Sequence, residues 1–286
     1  MWQLPYGEFD CEVNSVLYLL REYDVPLEPL YRYNFDFYYD EQEDLLRGSV
    51  PLEPLLRFVE RTFGIAFPKT DIGEVPLHEP AILVADAFYL PYANDYYNKH
   101  RLVHYFPAKR SSADSFEVAD PIFSYYGPLS ADDIRESSGH LNRDTFRLER
   151  SPSGGGPSSV ATVRPYLAQR READNYTRAV ERMKERLHEA LEPGGALYET
   201  FLFKKYFANL QNIWKARLRH FESDDTKRIA GELYAAIIAS WRKTTKAYMK
   251  IGIDRSLGIQ ETLASLQETS ALEKQYLQKY EGAIIG

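Results

Sequence analysis

The chain has 286 residues, of which 44% are hydrophobic and 27% charged, with a net charge of −7. That length allows one large domain or two ordinary ones, with material for a real core under an ordinary polar surface. No apolar run approaches the ~20 residues of a membrane span, and the single cysteine, Cys11, excludes an intrachain disulfide or a zinc site built on several thiolates. The opening MWQLPYGE lacks the basic-then-apolar order of a signal peptide, so the expected location is cytoplasmic, with no membrane partner.

The first element predicted is a helix from Cys11, because Val13, Val16, Leu17 and Leu20 recur at helical spacing and Asp10 is a good N-cap. Leu52 to Thr62 reads as a second helix, ended before Gly64. The run from Ala81 to Ala85 reads as a buried strand. His104 to Pro107 begins another, and Ser115 to Ala119 is its hairpin partner, stopped by Asp120-Pro121. The stretch SPSGGGPSS, residues 151–159, has the composition of a linker or long loop.

Beyond it the chain becomes rich in Ala, Leu, Glu, Lys and Arg. The spacing predicts helices over Arg164–Leu191 and Leu197–His220, from Asp224 or Asp225 to about Lys250, and from about Ile259 to Tyr280. Leu197, Phe201, Tyr206, Leu210 and Trp214 share a face and suit a bundle core better than a cofactor site. The expected division is residues 1–150, a linker at 151–159, and a helical domain over 160–286. The halves differ in charge: residues 1–163 carry 14 Lys and Arg against 26 Asp and Glu, whereas residues 164–250 carry 18 against 11. A basic helical face is usually just solvated. No DNA- or RNA-binding motif accompanies it, so nucleic acid is not an expected partner.

The chemistry-bearing pattern centres on Cys11. A lone cysteine is by default a small buried hydrophobe. The first turn of a helix, however, favours a thiolate, because backbone N–H groups and the helix dipole stabilise negative charge there. A thiolate nucleophile also needs a proton-accepting histidine, and the histidine an orienting group. His104 opens one predicted strand and Asp120 ends the next, positions that lie side by side in an antiparallel hairpin. The bland alternatives are a strand-end histidine bonded to backbone and an ordinary Asp-Pro turn.

His100 and His104 are four apart, a metal-binding spacing on a helix. Their surroundings, KHRLVHYFPA, read instead as a loop entering a strand, and no third ligand is evident, so no metal is expected. Two tyrosine-rich runs, Tyr31 to Tyr39 and Tyr89 to Tyr97, fit either packing or the lining of an acyl or aryl pocket.

The segments DCEVNSVLYLL (10–20), ILVADAFYLPYANDYYNKHRLVHYF (82–106) and FEVADPIFSYYGPLS (116–130) resemble the papain-like cysteine hydrolases. More narrowly, they resemble the N-terminal domain of the butirosin-biosynthesis protein H family, over roughly residues 7–135. The resemblance implies an α+β fold, with a papain-like domain whose Cys-bearing helix packs on an antiparallel sheet, followed here by a helical bundle. It implies acyl transfer: Cys11 takes an acyl group from the phosphopantetheine arm of an acyl- or peptidyl-carrier protein, and an amine acceptor receives it as an amide. His104 would move the protons and Asp120 would orient it, with no cofactor bound by the chain itself.

Papain-like enzymes often carry an oxyanion-hole Gln six residues before the cysteine, where this chain has Pro5. Gln3, Tyr6, Asp86, Tyr89 and His100 are therefore the candidate oxyanion and substrate-binding residues. The basic helices would suit the acidic surface of a carrier protein, and homo-oligomerisation through them stays open. A cysteine peptidase or amidase, and a non-catalytic scaffold, are the competing expectations.

Overall fold

A computed structural model describes residues 9–139, 141, 144–150, 175–189 and 200–285. Gln3, Tyr6 and the 151–159 linker lie outside the described residues. The protein is α+β, and its sheets are antiparallel. The chain divides into two compact units, Met1–Leu27 with Pro51–Ser159, and Glu28–Val50 with Val160–Gly286. The expected break near residue 150 is thus joined by an excursion the sequence did not announce, because residues 28–50 cluster with the C-terminal helices.

In the first unit, α1 spans Cys11–Arg21. Its Asp10 cap accepts from the Val13 N–H at 3.0 Å. The apolar positions Val13, Val16, Leu17 and Leu20 are all buried, as the helical spacing predicts. In the second unit, α2 spans Glu28–Tyr33 and leads to a short hairpin of β1, Tyr38–Asp40, and β2, Leu45–Arg47.

Back in the first unit, α3 covers Leu52–Phe63 and stops at Gly64, whose φ of 65° is a left-handed C-cap. Next come β3, Ile65–Ala66; β4, Lys69–Thr70; β5, Pro80–Asp86; β6, Val103–Arg110; β7, Ser115–Asp120; and β8, Tyr125–Ser130. Then α4 covers Ala131–Ser138, capped by the Ser130 hydroxyl, followed by β9, Thr145–Arg147, and β10, Glu149–Arg150. The main sheet has six strands in the order β4-β9-β5-β6-β7-β8. Leu83, Ala85, Phe106, Phe116 and Val118 of the sheet and Ile134 of α4 form a buried cluster.

In the second unit, α5 covers Asn175–Glu189, α6 Thr200–His220, α7 Asp224–Ala230, α8 Leu233–Lys250 and α9 Arg255–Ile285. One helix was expected from Asp224 to Lys250. The structure breaks it at Gly231, which takes φ of 57°. Among the described residues, no helix is long and apolar enough to cross a membrane.

Residues 28–50 belong to this unit because their aromatic side chains supply its core. Phe35 packs against His220 and Tyr276, and Phe37 against Trp241. The first tyrosine-rich run therefore serves packing. Of the predicted stripe on α6, Tyr206 and Leu210 are buried.

The buried Arg217 guanidinium joins these pieces. It donates to the Gly48 carbonyl, the Asp36 carbonyl and the Glu273 carboxylate. Glu273 also accepts from the Trp241 indole at 2.6 Å. A paired and hydrogen-bonded charge is the only kind that such an interior tolerates.

Candidate active site

The first turn of α1 is pinned from both sides. The Asn14 side chain donates to the Phe9 carbonyl at 2.7 Å, and the Ser15 hydroxyl to the Cys11 carbonyl at 2.7 Å. Cys11 is the first residue of the helix, where the N–H groups have no intrahelical acceptor. Its side chain is partly accessible.

β6 places His104 opposite Ala85 of β5. On its other side, the ladder to β7 runs from Arg110–Phe116 to Ala108–Val118. It stops before Pro107, which has no N–H to donate. Beyond that point side chains join the strand ends, because His104 Nε2 and Asp120 Oδ2 are 2.7 Å apart. Both residues are buried, His104 at 1% and Asp120 at 0% exposure.

Asp120 Oδ1 accepts the N–H groups of Ile122 at 3.1 Å and Phe123 at 3.3 Å. The Asp-Pro turn and the histidine partner are thus one and the same residue, with an oxygen for each task. The expected turn and the expected orienting role do not compete.

With Nε2 committed to Asp120, Nδ1 is the ring nitrogen left to face Cys11, which lies near enough to help raise the His104 pKa. The electrostatics oppose one another. Burial lowers the His104 pKa, but the Asp120 charge and hydrogen bond, with smaller contributions from Cys11, push it up to about 10. The ring is held as an imidazolium at neutral pH, donating to a carboxylate on one side and facing a sulfur on the other.

An aromatic wall surrounds the histidine. Phe123 lies 4.7 Å from the His104 ring, centroid to centroid, and Phe106 5.8 Å. Tyr96 meets Phe123 at 5.5 Å, and Tyr92 stacks on Tyr125 at 4.0 Å. The Tyr96 phenol is pushed up to about 12 by burial and by the charges of Asp95 and Cys11, so its hydroxyl stays protonated near the sulfur. The Tyr92 phenol is raised by burial and by the Asp120 charge; it lies near that carboxylate but outside good hydrogen-bond geometry. Phe123 was not singled out from the sequence. Its signal is its place three residues after Asp120, inside the turn that the carboxylate holds.

The other expected residues take different places. Asp86 is buried, and its carboxylate accepts from the Phe88 N–H at 3.0 Å, the Leu102 N–H at 3.1 Å and Arg101 at 3.3 Å. It clamps the base of the loop between β5 and β6. Tyr89 accepts from Arg101 at 3.4 Å, and that guanidinium lies over the Phe88 and Tyr89 rings. His100 sits in a turn, its N–H bonded to the Tyr96 carbonyl, whereas His104 is on β6, so the two are not on one helix face. Among the described residues, no group of three or more His, Cys, Asp and Glu is arranged to hold a metal.

No family model matches this chain, and no curated protein matches it.

Proposed function

We propose that this protein is a cysteine acyltransferase of papain-like fold, with Cys11 as nucleophile, His104 as proton carrier and Asp120 as orienting group. One observation supports this above all. His104 is buried between Asp120 on Nε2 and Cys11 at the N-terminus of α1. A structural histidine needs no accessible thiol at its second nitrogen. A nucleophilic thiol needs just such a base.

In this reading the Cys11 sulfur, as thiolate, attacks the carbonyl carbon of an acyl thioester on a carrier protein's phosphopantetheine arm. The tetrahedral oxyanion is met by the Cys11 backbone N–H and the Tyr96 hydroxyl. The carbon–sulfur bond to the carrier breaks, and the departing thiolate takes the proton from His104. An amine then attacks the Cys11 thioester and loses its proton to His104, and the amide leaves as the Cys11 thiolate is restored. Asp120 holds the ring throughout. The helices of residues 164–250, with 18 Lys and Arg against 11 Asp and Glu, receive the acidic carrier.

Intact-protein mass spectrometry tests this. The protein is mixed with acyl-carrier and simple acyl thioesters, as wild type and as Cys11→Ala. A mass increase equal to the acyl group, absent in Cys11→Ala and discharged by an added amine, is expected. Discharge by water alone assigns hydrolysis in place of transfer. No adduct across a broad thioester panel, with Cys11 alkylated no faster than a free thiol, refutes the nucleophile.

A further inference from the structure

A cavity of about 600 Å³ lies in the first unit, between the C-terminal half of α1 and the strands β6, β7 and β8. Cys11, His104 and Asp120 are not among its lining residues. Tyr18, which lines it, is seven residues along α1 from Cys11, or ~10 Å at the helical rise of about 1.5 Å per residue. The size falls in the range of small-molecule sites, roughly 300–1,000 Å³.

The lining combines tyrosine with carboxylate. Tyr18, Tyr23 and Tyr126 contribute rings, and Glu22 and Glu117 contribute acids. Tyr18 is buried, at 4% exposure, whereas Tyr126 is 49% exposed, so one ring closes the cavity and another stands open at its mouth. Lys109, also at the rim, pairs in strand register with Glu117. One cation therefore faces two carboxylates. Among the described residues of the lining, His78 and the three tyrosines are the further titratable side chains.

We propose that this cavity binds a small organic cation, a primary amine on an apolar body, with its ammonium between Glu22 and Glu117 and its body against the tyrosines. Aromatic faces and carboxylates both favour such a cation over an anion or a neutral isostere. The field in the cavity has the matching sign. Burial raises the Tyr18 phenol, and Glu22, Tyr126 and Glu117 each raise it further. Burial and the nearby Asp24 raise the Glu22 carboxyl, against the opposing pull of Lys109. A bound ammonium supplies the positive charge that Lys109 alone does not.

The site does not depend on acyl transfer at Cys11. The test uses the full chain at low ionic strength and three probes that share one 4-hydroxyphenylethyl body: tyramine, 3-(4-hydroxyphenyl)propionate and 4-propylphenol. Titration calorimetry is expected to show tyramine binding at least about tenfold more tightly than either other probe. Glu117→Gln and Tyr126→Ala, both at exposed positions, each weaken tyramine by at least about fivefold. Far-ultraviolet circular dichroism checks that both variants fold. Cys11→Ala binds tyramine as wild type does. Equal binding of the three probes, no binding of tyramine, or variants that bind it as tightly as wild type overturns the proposal.

Discussion

Asp120→Asn separates the charge of the buried carboxylate from its shape. Asparagine keeps an oxygen for the Ile122 and Phe123 N–H groups, so the turn after β7 stays in place. Its amide nitrogen replaces Oδ2 opposite His104 Nε2 and donates, which suits only a neutral ring. In the wild type His104 is pushed up to about 10 from 6.5. At ~1.4 kcal/mol per pH unit, that gap corresponds to about 5 kcal/mol of preference for the imidazolium. Burial opposes this preference and Cys11 supplies a smaller part of it, so Asp120 is its main source.

Histidine ring proton NMR measures the effect directly. In the wild type the His104 resonance stays that of an imidazolium from pH 5 to 8.5. In Asp120→Asn its midpoint drops below about 8, and Cys11 is alkylated by iodoacetamide at least about tenfold more slowly at pH 7. A midpoint within half a pH unit of the wild type, in a folded variant, refutes the assignment of Asp120 as the group that charges the ring.

Stability is expected to fall on both sides of neutrality, for opposite reasons. The raised His104 contributes stability that is complete below about 6.5 and lost as pH rises towards about 10, by at most ~1.4 kcal/mol per pH unit. His104→Gln should remove that alkaline slope, and an unchanged slope in urea unfolding would contradict it. Burial and the Arg217 charge lower His220 to about 3, so it is neutral in the fold and its stabilisation is lost as pH falls from 6.5 towards 3.

Glu273→Gln leaves the buried Arg217 charge uncompensated and should cost about 3–5 kcal/mol, with much of the loss recovered by adding Arg217→Met. A loss under about 1 kcal/mol in denaturant unfolding would mean that the pair does not hold residues 28–50 to the helices. At Gly48, an added Cβ would come within 2.5 Å of Ile213 Cγ2. Gly48→Ala should therefore cost about 1–3 kcal/mol, relieved by Ile213→Ala, as read from thermal midpoints.

Local signals in the sequence determined the elements that carry the site. Asp10 followed by apolar residues at helical spacing specifies a capped helix with Cys11 at its start. The alternation after Ser115 and the Asp120-Pro121 stop specify a strand ending on a carboxylate. Because these signals are local, the start of α1 and the ends of α3, β5 and β7 fell within a residue of their expected positions.

Tertiary structure decided what depends on residues distant in sequence. The attachment of residues 28–50 to the C-terminal helices rests on Arg217 reaching Gly48 and Asp36, contacts that no spacing pattern encodes. Asp86, expected at the oxyanion or substrate, ends a strand, where the role of a carboxylate is ambiguous until its donors are known. Its donors proved to be the loop's own N–H groups and Arg101. The sequence by itself determined that a thiol, an imidazole and a carboxylate stood at the ends of regular elements. Only the tertiary structure decided that the imidazole is buried against the carboxylate, because burial and the Asp120 charge, which act on its protonation in opposite directions, exist only once the strands have paired.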